Sequence, residues 1–287
     1  MILISSLTAR HINVYGSMTI SNQLPMVMIA GPCVMESHDH AMMMAQKLDE
    51  ICKKVGFSFI FKTSFDKANR TSIHAQRGVG LEKSLHIFQS IKNTLHCPVI
   101  TDVHTTEQCE TLADVVDILQ IPAFLCRQTD LLEAAAKTHK IINIKKGQFL
   151  APWDMEQIIK KMQSFGNENI MLCERGTSFG YNTLVCDMSG LSIMAKTGYP
   201  VIFDATHSVQ RPGGLGNASS GNRDLAPILA RAATAVGVAG VFMEVHDDPE
   251  NAPSDGPNMI RLSDFEQILI ELKAFDTLAK SMPRTIK

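Results

Sequence analysis

The chain has 287 residues, 45% of them hydrophobic, and a formal net charge of −2 with both signs mixed along its length. That length holds one large core, and a (β/α)8 barrel takes about 250 residues. Near-neutral, unclustered charge leaves no nucleic-acid or membrane-surface footprint. Seven cysteines (Cys33, Cys52, Cys97, Cys109, Cys126, Cys173 and Cys186) form no C-x-x-C pair. A disulfide framework is not expected, and a reducing cytoplasm fits better. The opening from Met1 to Leu7 is apolar but short, without the basic region and cleavage site of a signal peptide. No apolar run approaches the roughly 20 residues of a membrane helix.

Residues 1–25 place Ile12, Val14 and Ile20 around Gly16, which predicts a small hairpin closing the bottom of the fold. From residue 26 onward a short apolar run alternates with an amphipathic stretch. A strand at 26–32 leads to a helix at 39–55, and a strand at 57–63 to a helix at 82–95. The pairs 98–103 with 105–113, 115–121 with 128–138, and 141–146 with 153–164 follow. The last three are 169–174 with 184–197, 201–205 with 223–236, and 240–245 with 263–281. The strands are rich in Val, Ile, Phe, Met and Leu and mostly do not alternate, as parallel strands buried on both faces require. In the last helix Leu262, Phe265, Ile268, Leu269 and Leu272 fall on one face.

Eight β-then-α units without edge-strand candidates predict an α/β protein, a single (β/α)8 TIM barrel over 26–287 with 1–25 as its N-terminal extension. No Gly-x-Gly-x-x-Gly follows the first strand. Gly213-Gly214-Leu215-Gly216 reads as part of a mobile lid over 208–223. Trp153 reads as a packing residue at a helix start, and the sixteen methionines as core filler.

In a barrel, polar residues at the C-terminal ends of strands mark the active site. Here Lys62, Lys145 and Arg175 end three different strands. Pointed into one mouth they repel one another, and a phosphate or carboxylate is the natural partner. The third strand ends in Asp102 and runs into His104, the fourth leads into Gln120, and the seventh ends in Asp204 and runs into His207. His104 fits either a supporting role beside the site or a strand cap. A softer set, Cys33, His207, Glu244 and Asp255, comes from strands 1, 7 and 8 and the loop after strand 8. Barrel closure makes these neighbours, and thiolate, imidazole and carboxylate suit a first-row divalent ion. On residues alone, a buried unreactive Cys33 and a substrate-binding His207 are the default.

The stretch K-T-S-F-D-K-A-N-R-T-S from Lys62 to Ser72 resembles 3-deoxy-D-manno-octulosonate 8-phosphate synthase, also called 2-dehydro-3-deoxyphosphooctonate aldolase. The resemblance continues through A-G-P-C-V-M-E-S (30–37), T-D-V-H (101–104), Q-I-P-A-F-L-C-R-Q-T-D-L (120–131), I-N-I-K-K-G-Q-F (142–149), L-C-E-R-G-T-S-F-G-Y (172–181), V-I-F-D-A-T-H-S-V-Q (201–210) and S-D-G-P-N (254–258). It covers about residues 26–280 in order and implies a (β/α)8 transferase that joins phosphoenolpyruvate to D-arabinose 5-phosphate for lipopolysaccharide synthesis. A related synthase using erythrose 4-phosphate shares G-P-C-x-x-E-S, but the longer K-A-N-R-T-S stretch favours the octulosonate enzyme. A catalytically silent barrel acting as a binding protein is the remaining alternative.

The resemblance assigns roles by position. Lys145 and Arg175, with the backbone N–H of Ala123, would hold the phosphate of phosphoenolpyruvate. Lys62, Ser64 and Gln120 would hold its carboxylate. Lys67 would lie beside the reacting carbons, and Asn69, Arg70 and Thr71 would bind the sugar phosphate and nearby hydroxyls. Asp102 would contact the sugar or a metal-bound water. Arg127 would reach the sugar phosphate, in its own subunit or across an interface of a homotetramer. Cys33, where metal-independent members carry Asn, places the chain in the metal-dependent class. Cys33, His207, Glu244 and Asp255 would then bind Fe²⁺ or Zn²⁺, with Mn²⁺ or Co²⁺ as further candidates. Lys67, Asp102, His207 and Cys33 form the implied catalytic set.

Overall fold

Eight parallel strands form a closed ring, seen in a computed structural model that describes residues 9–16, 18–70, 72–213 and 220–282. The strands are β1 (Val27–Gly31), β2 (Ser58–Lys62), β3 (Val99–Asp102), β4 (Ile118–Ile121), β5 (Ile141–Lys145), β6 (Ile170–Glu174), β7 (Val201–Asp204) and β8 (Gly240–His246). Each pairs with the next, and β8 pairs back onto β1 with Glu244 opposite Gly31. Outside them run α1 (His38–Val55), α2 (Leu81–Leu95), α3 (Thr106–Ala113), α4 (Thr129–Lys137), α5 (Met155–Ser164), α6 (Met188–Ala195), α7 (Ala226–Val236) and α8 (Leu262–Ser281). A short helix, Ala205–Ser208, follows β7 directly. The chain is thus the (β/α)8 barrel its pattern predicts.

Side chains alternate across each strand. Outward residues such as Met28, Phe59, Phe61, Val99, Leu119, Ile142, Leu172 and Phe203 meet the helices in one large core. Inward residues form a second, smaller cluster: Val27, Ile29, Ile60, Ile100, Ile118, Ile141, Met171, Ile202 and Phe242. Two residues further along the same inward rows the chemistry changes. Ile60 gives way to Lys62, Ile100 to Asp102, Ile118 to Gln120, Ile202 to Asp204 and Phe242 to Glu244. The interior is therefore apolar at the bottom and charged at the mouth. This is why the strands read as unbroken apolar runs that end in polar residues.

The N-terminal segment closes the bottom. Ile12–Asn13 and Thr19–Ile20 pair antiparallel, and Ile12 and Ile20 join the inward cluster. Gly31 sits where β1 presses on β2; a Cβ there would lie 1.9 Å from the Lys62 carbonyl oxygen. Only glycine lets the chain turn from β1 toward Cys33 at that spacing.

Helix ends follow local chemistry. The Ser37 side chain accepts from the His40 N–H at the start of α1, Lys53 and Lys54 lie in its last turn, and Gly56 stops it in the left-handed conformation. Two features differ from expectation. The stretch expected as a helix over 184–197 begins with a strand, Leu184–Val185, paired to Thr177–Ser178. The helix starts only at Met188, where Asp187 accepts from the Ser189 N–H. Trp153 does not pack at its helix start: it lies in the turn Pro152–Asp154 and is 64% exposed. The expected lid over 208–223 lies partly outside the described residues.

Ile20 is fully buried between hairpin and barrel floor. Ile20→Ala is expected to lower unfolding free energy by about 2–5 kcal/mol, measured by urea denaturation. An unchanged midpoint would show that the hairpin is no part of the cooperative core.

Candidate active site

The inward residues at the strand ends line a cavity of about 1050 Å³ at the C-terminal face. Its wall includes Lys62, Lys67, Asp102, Gln120, Lys145, Arg175, His207, Glu244 and Asp255. Four of its cations, Lys62, Lys67, Lys145 and Arg175, thus share one space with the carboxylates Asp102, Glu244 and Asp255, and Asp204 lies buried behind Lys145 and His207. Lys62, Arg175, Asp204 and Glu244 are each at most 4% exposed, so these charges answer to one another rather than to water.

At the β2–β3–β4 side, Asp102 is the centre. It accepts from Ser64 Oγ and Gln120 Nε2, and Lys62 Nζ lies 3.5 Å away. Lys62 Nζ also donates to Ser64 Oγ at 2.9 Å, and Asn143 Nδ2 holds Gln120 Oε1 at 2.9 Å. Burial favours a neutral Asp102, but Lys62, Lys67 and Lys145 outweigh it and hold the carboxyl well below its usual range. Burial lowers the Lys62 ammonium despite Asp102. The three residues expected around a substrate carboxylate are thus gathered around a protein carboxylate. His104, after β3, lines the cavity beside Phe65, and burial lowers its imidazole below the usual value.

At the β5–β7 side, Asp204 is the shared partner. It accepts from Lys145 Nζ at 2.7 Å and faces His207 Nδ1 at 2.9 Å. It also caps the Ala205–Ser208 helix through the His207 N–H. Burial works against its charge, and His207 and Lys145 override it, so Asp204 stays ionised well below the carboxylate range. Next to it, Glu174 Oε1 accepts from the N–H groups of Arg175 and Gly176 at 3.0 and 2.7 Å, with Lys146 Nζ 3.5 Å away. This fixes the turn that carries Arg175. The Arg175 guanidinium donates from Nη2 to Gln210 Oε1 at 2.9 Å, while Nη1 is buried without a hydrogen-bond partner among the described residues.

The third part lies where β8 meets β1. Sγ of Cys33 donates to Ser254 Oγ at 3.0 Å and lies 3.5 Å from Asp255 Oδ2. His207 Nε2 is 3.7 Å from Glu244 Oε1 and 3.8 Å from Asp255 Oδ2. One ligand atom each from Cys33, Glu244 and Asp255 falls within 4.8 Å of the others. Neither Glu244 oxygen accepts a hydrogen bond among the described residues, although both are buried. Lys67 Nζ, 3.6 Å from Glu244, is the nearest counter-charge. Burial alone would lower that ammonium, but Cys33, Glu244, Asp102 and Asp255 hold it above its ordinary range. Burial and then Glu244 push the Cys33 thiol far up. A divalent cation reverses that sign, because it stabilises the thiolate. An orphaned buried carboxylate beside a thiol, an imidazole and a second carboxylate fits such an ion.

Asp255 is aimed by its backbone. Its φ of 51° is left-handed, and it opens the tight turn Gly256–Asn258. Arg223 donates to the Gly256 carbonyl at 2.9 Å and to Glu250 at 3.0 Å, and Arg70 to the Pro253 carbonyl at 3.1 Å. A further His/Glu group, Glu36, His40 and His246, stands just outside. His246 Nδ1 accepts from the Asp248 N–H at 2.9 Å, so its Nε2–H donates to Glu36 at 2.7 Å. That bond ties the segment after β1 to the end of β8.

Asn69, Arg70 and Ala123 also line the cavity, and Ser64 stands behind Lys62 and Asp102. Arg127 does not line it; its guanidinium lies over the Phe149 ring at 5.4 Å. Thr71 lies outside the described residues. Sequence reasoning named Asp204 as a strand end but gave it no part. It left out Gln210, Arg223 and Ser254. A buried aspartate two residues beyond an inward isoleucine was the available signal for Asp204; the other three carried none.

A closed barrel with a polar mouth of buried, opposed charges defines an enzyme of small anionic substrates. The sequence pattern of the DAHP synthetase I family matches residues 7–281, and the chain belongs to that family. Relatives of near-full length carry the name 2-dehydro-3-deoxyphosphooctonate aldolase. One from Bartonella quintana (strain Toulouse) is 59% identical over 93% of this chain and 96% of its own. Another from Rickettsia canadensis (strain McKiel) is 60% identical over 91% and 95%. A third from Chelativorans sp. (strain BNC1) is 60% identical over 93% and 96%.

The Asp102 charge is a stability term with a definite sign. Its folded pKa is depressed, so its contribution is complete above the unfolded value of about 4 and is lost as pH falls through the folded value. Asp102→Asn is expected to cost about 3–5 kcal/mol at pH 7 by stranding Lys62. In urea unfolding, the gap to wild type should narrow as pH drops below about 4. A gap constant with pH would refute the assignment.

Proposed function

We propose that this chain condenses phosphoenolpyruvate with D-arabinose 5-phosphate and water, releasing phosphate and forming 3-deoxy-D-manno-octulosonate 8-phosphate, a lipopolysaccharide precursor. One observation carries the reading. The cations that the motif resemblance assigns to an enol phosphate converge on one cavity, where Arg175 keeps a buried guanidinium nitrogen without a partner among the described residues. The shared name of the near-full-length relatives supports the substrate pair.

In this reading Lys145 and Arg175, with the Ala123 N–H, bind the phosphate of phosphoenolpyruvate. Lys62, Ser64 and Gln120 turn donors from Asp102 toward its carboxylate. Asn69, Arg70 and the Thr71 hydroxyl hold the sugar phosphate. Carbon 3 of the enol attacks the aldehyde while water adds at carbon 2, and the phosphorylated hemiketal loses phosphate by C–O cleavage. Lys67 stands beside the reacting carbons, and Asp102 orders the donors and sugar hydroxyls around them. Fixed charges of this kind hold reactants in line and need no reorganisation.

Cys33, His207, Glu244 and Asp255 would hold the divalent ion, Fe²⁺ or Zn²⁺ by donor softness, with Mn²⁺ or Co²⁺ also compatible. When bound, it supplies a positive charge that orients the aldehyde oxygen and the attacking water.

The active form in this reading is a cytoplasmic homotetramer in which Arg127 reaches a neighbouring copy's sugar phosphate. Phe124, Phe149, Trp153, Phe179 and Tyr181 are all exposed on the loops after β4, β5 and β6, and Arg127 lies over Phe149. Such an aromatic surface supports self-association. All seven cysteines are free, in keeping with a reducing compartment. No described helix is long and apolar enough to cross a membrane.

Phosphate release from phosphoenolpyruvate should proceed with arabinose 5-phosphate and stay at background with erythrose 4-phosphate; the reverse preference overturns the reading. A chelator should abolish the release and added Zn²⁺ or Mn²⁺ restore it; full activity after chelation removes the metal requirement. Cys33→Asn should empty the site of tightly held metal, read as metal content per subunit. Unchanged stoichiometry would exclude Cys33 as a ligand.

A further inference from the structure

Gln210 joins two parts of the mouth. Its Oε1 accepts from Arg175 Nη2 at 2.9 Å, and its Nε2 lies 3.4 Å from Asp255 Oδ1. The amide has only one sensible orientation. A guanidinium only donates and a carboxylate only accepts, so the oxygen must face Arg175 and the nitrogen Asp255.

The backbone holds Gln210 in place. It follows the Ala205–Ser208 helix that carries His207, and it pairs with Gly221 in a short antiparallel ladder. A Cβ on Gly221 would lie 1.5 Å from Asn258 Oδ1, so the ladder packs tightly on the turn after Asp255.

Each contact leaves a particular atom free. With Nη2 held, Arg175 keeps Nη1 buried and without a hydrogen-bond partner among the described residues. With Oδ1 held, Asp255 turns Oδ2 toward Cys33 Sγ at 3.5 Å and His207 Nε2 at 3.8 Å. A 3.4 Å contact is long for a hydrogen bond, so its effect is on direction more than on energy.

We propose that Gln210 is a positioning residue that sets the anion site and the metal corner together: its amide turns Arg175 Nη1 toward the phosphate and restricts Asp255 to one metal-facing oxygen, Oδ2. This rests on the functional reading above. Gln210 acts through Arg175 and Asp255.

Gln210→Met keeps the length of the side chain and removes both polar contacts; Gln210→Ala serves if the methionine variant does not fold. Three readouts leave synthase activity aside: Co²⁺ affinity, the Co²⁺ d–d absorption spectrum, and affinity for inorganic phosphate by calorimetry, with melting temperature as the control for folding. Loss of the amide should weaken Co²⁺ binding about 10–100-fold and weaken phosphate binding as well. Freed Oδ1 lets Asp255 bind through both oxygens, so the d–d bands should lose intensity as the coordination number rises. A folded variant with wild-type Co²⁺ affinity, spectrum and phosphate affinity overturns the inference. Loss of phosphate binding with Co²⁺ affinity and spectrum intact also overturns it, because the two sites would then be set separately. A wild-type protein that takes up no Co²⁺ instead overturns the metal reading itself.

Discussion

The mouth of this barrel depends on keeping four cations and four carboxylates out of water without leaving any of them alone. Charges buried in this way are tolerated only when each has an opposite neighbour and its hydrogen bonds are met. Asp102 answers Lys62, Asp204 answers Lys145 and His207, and Glu244 answers Lys67. The buried atoms left without a hydrogen bond among the described residues, Arg175 Nη1 and the Glu244 oxygens, are the ones positioned to receive something from outside. Function is thus concentrated at the few points where internal compensation stops.

The remaining architecture keeps those pairs in register. Closure of β8 onto β1 sets Glu244 opposite Gly31, two residues before Cys33, and on the other side the missing Cβ of Gly31 makes room for the Lys62 carbonyl of β2. The Glu36–His246 bond repeats that tie one step outward. Below the charged layer, Ile60, Ile100, Ile118 and Ile202 pack with Ile12 and Ile20 into a dry floor. Inside the same strands, period-two alternation separates a helix-facing core from this inner stack, so the polar residues need no loop to present them.

Much of this was legible in the sequence because it depends on pattern. Strands buried on both faces read as continuous apolar runs, and all eight were placed within about three residues of their observed bounds. Lys62, Lys145, Arg175, His207 and Glu244 stood out because a charge at the end of an apolar run demands a reason. What sequence could not show was which charge meets which. Asp102 attracts the very residues expected to wait for a substrate carboxylate, and Asp204 divides itself between a lysine and a histidine; the Asp102 cluster and the Lys145–Asp204 pair depend on inter-strand stagger, which spacing along one chain does not encode. Gln210 is an ordinary glutamine after a histidine motif, and only three-dimensional proximity gives it two partners. At 184–197 an apolar, helix-permissive composition hid a two-residue strand, because pairing to Thr177–Ser178 is a tertiary event. Trp153 misled for a related reason: a large apolar side chain implies burial, yet here it stands outside the core.

The plug of Ile12 and Ile20 makes the barrel a vessel with one opening. Whatever reaches the inner stack must enter from the C-terminal face. Two molecules that share the cavity must therefore use the same door.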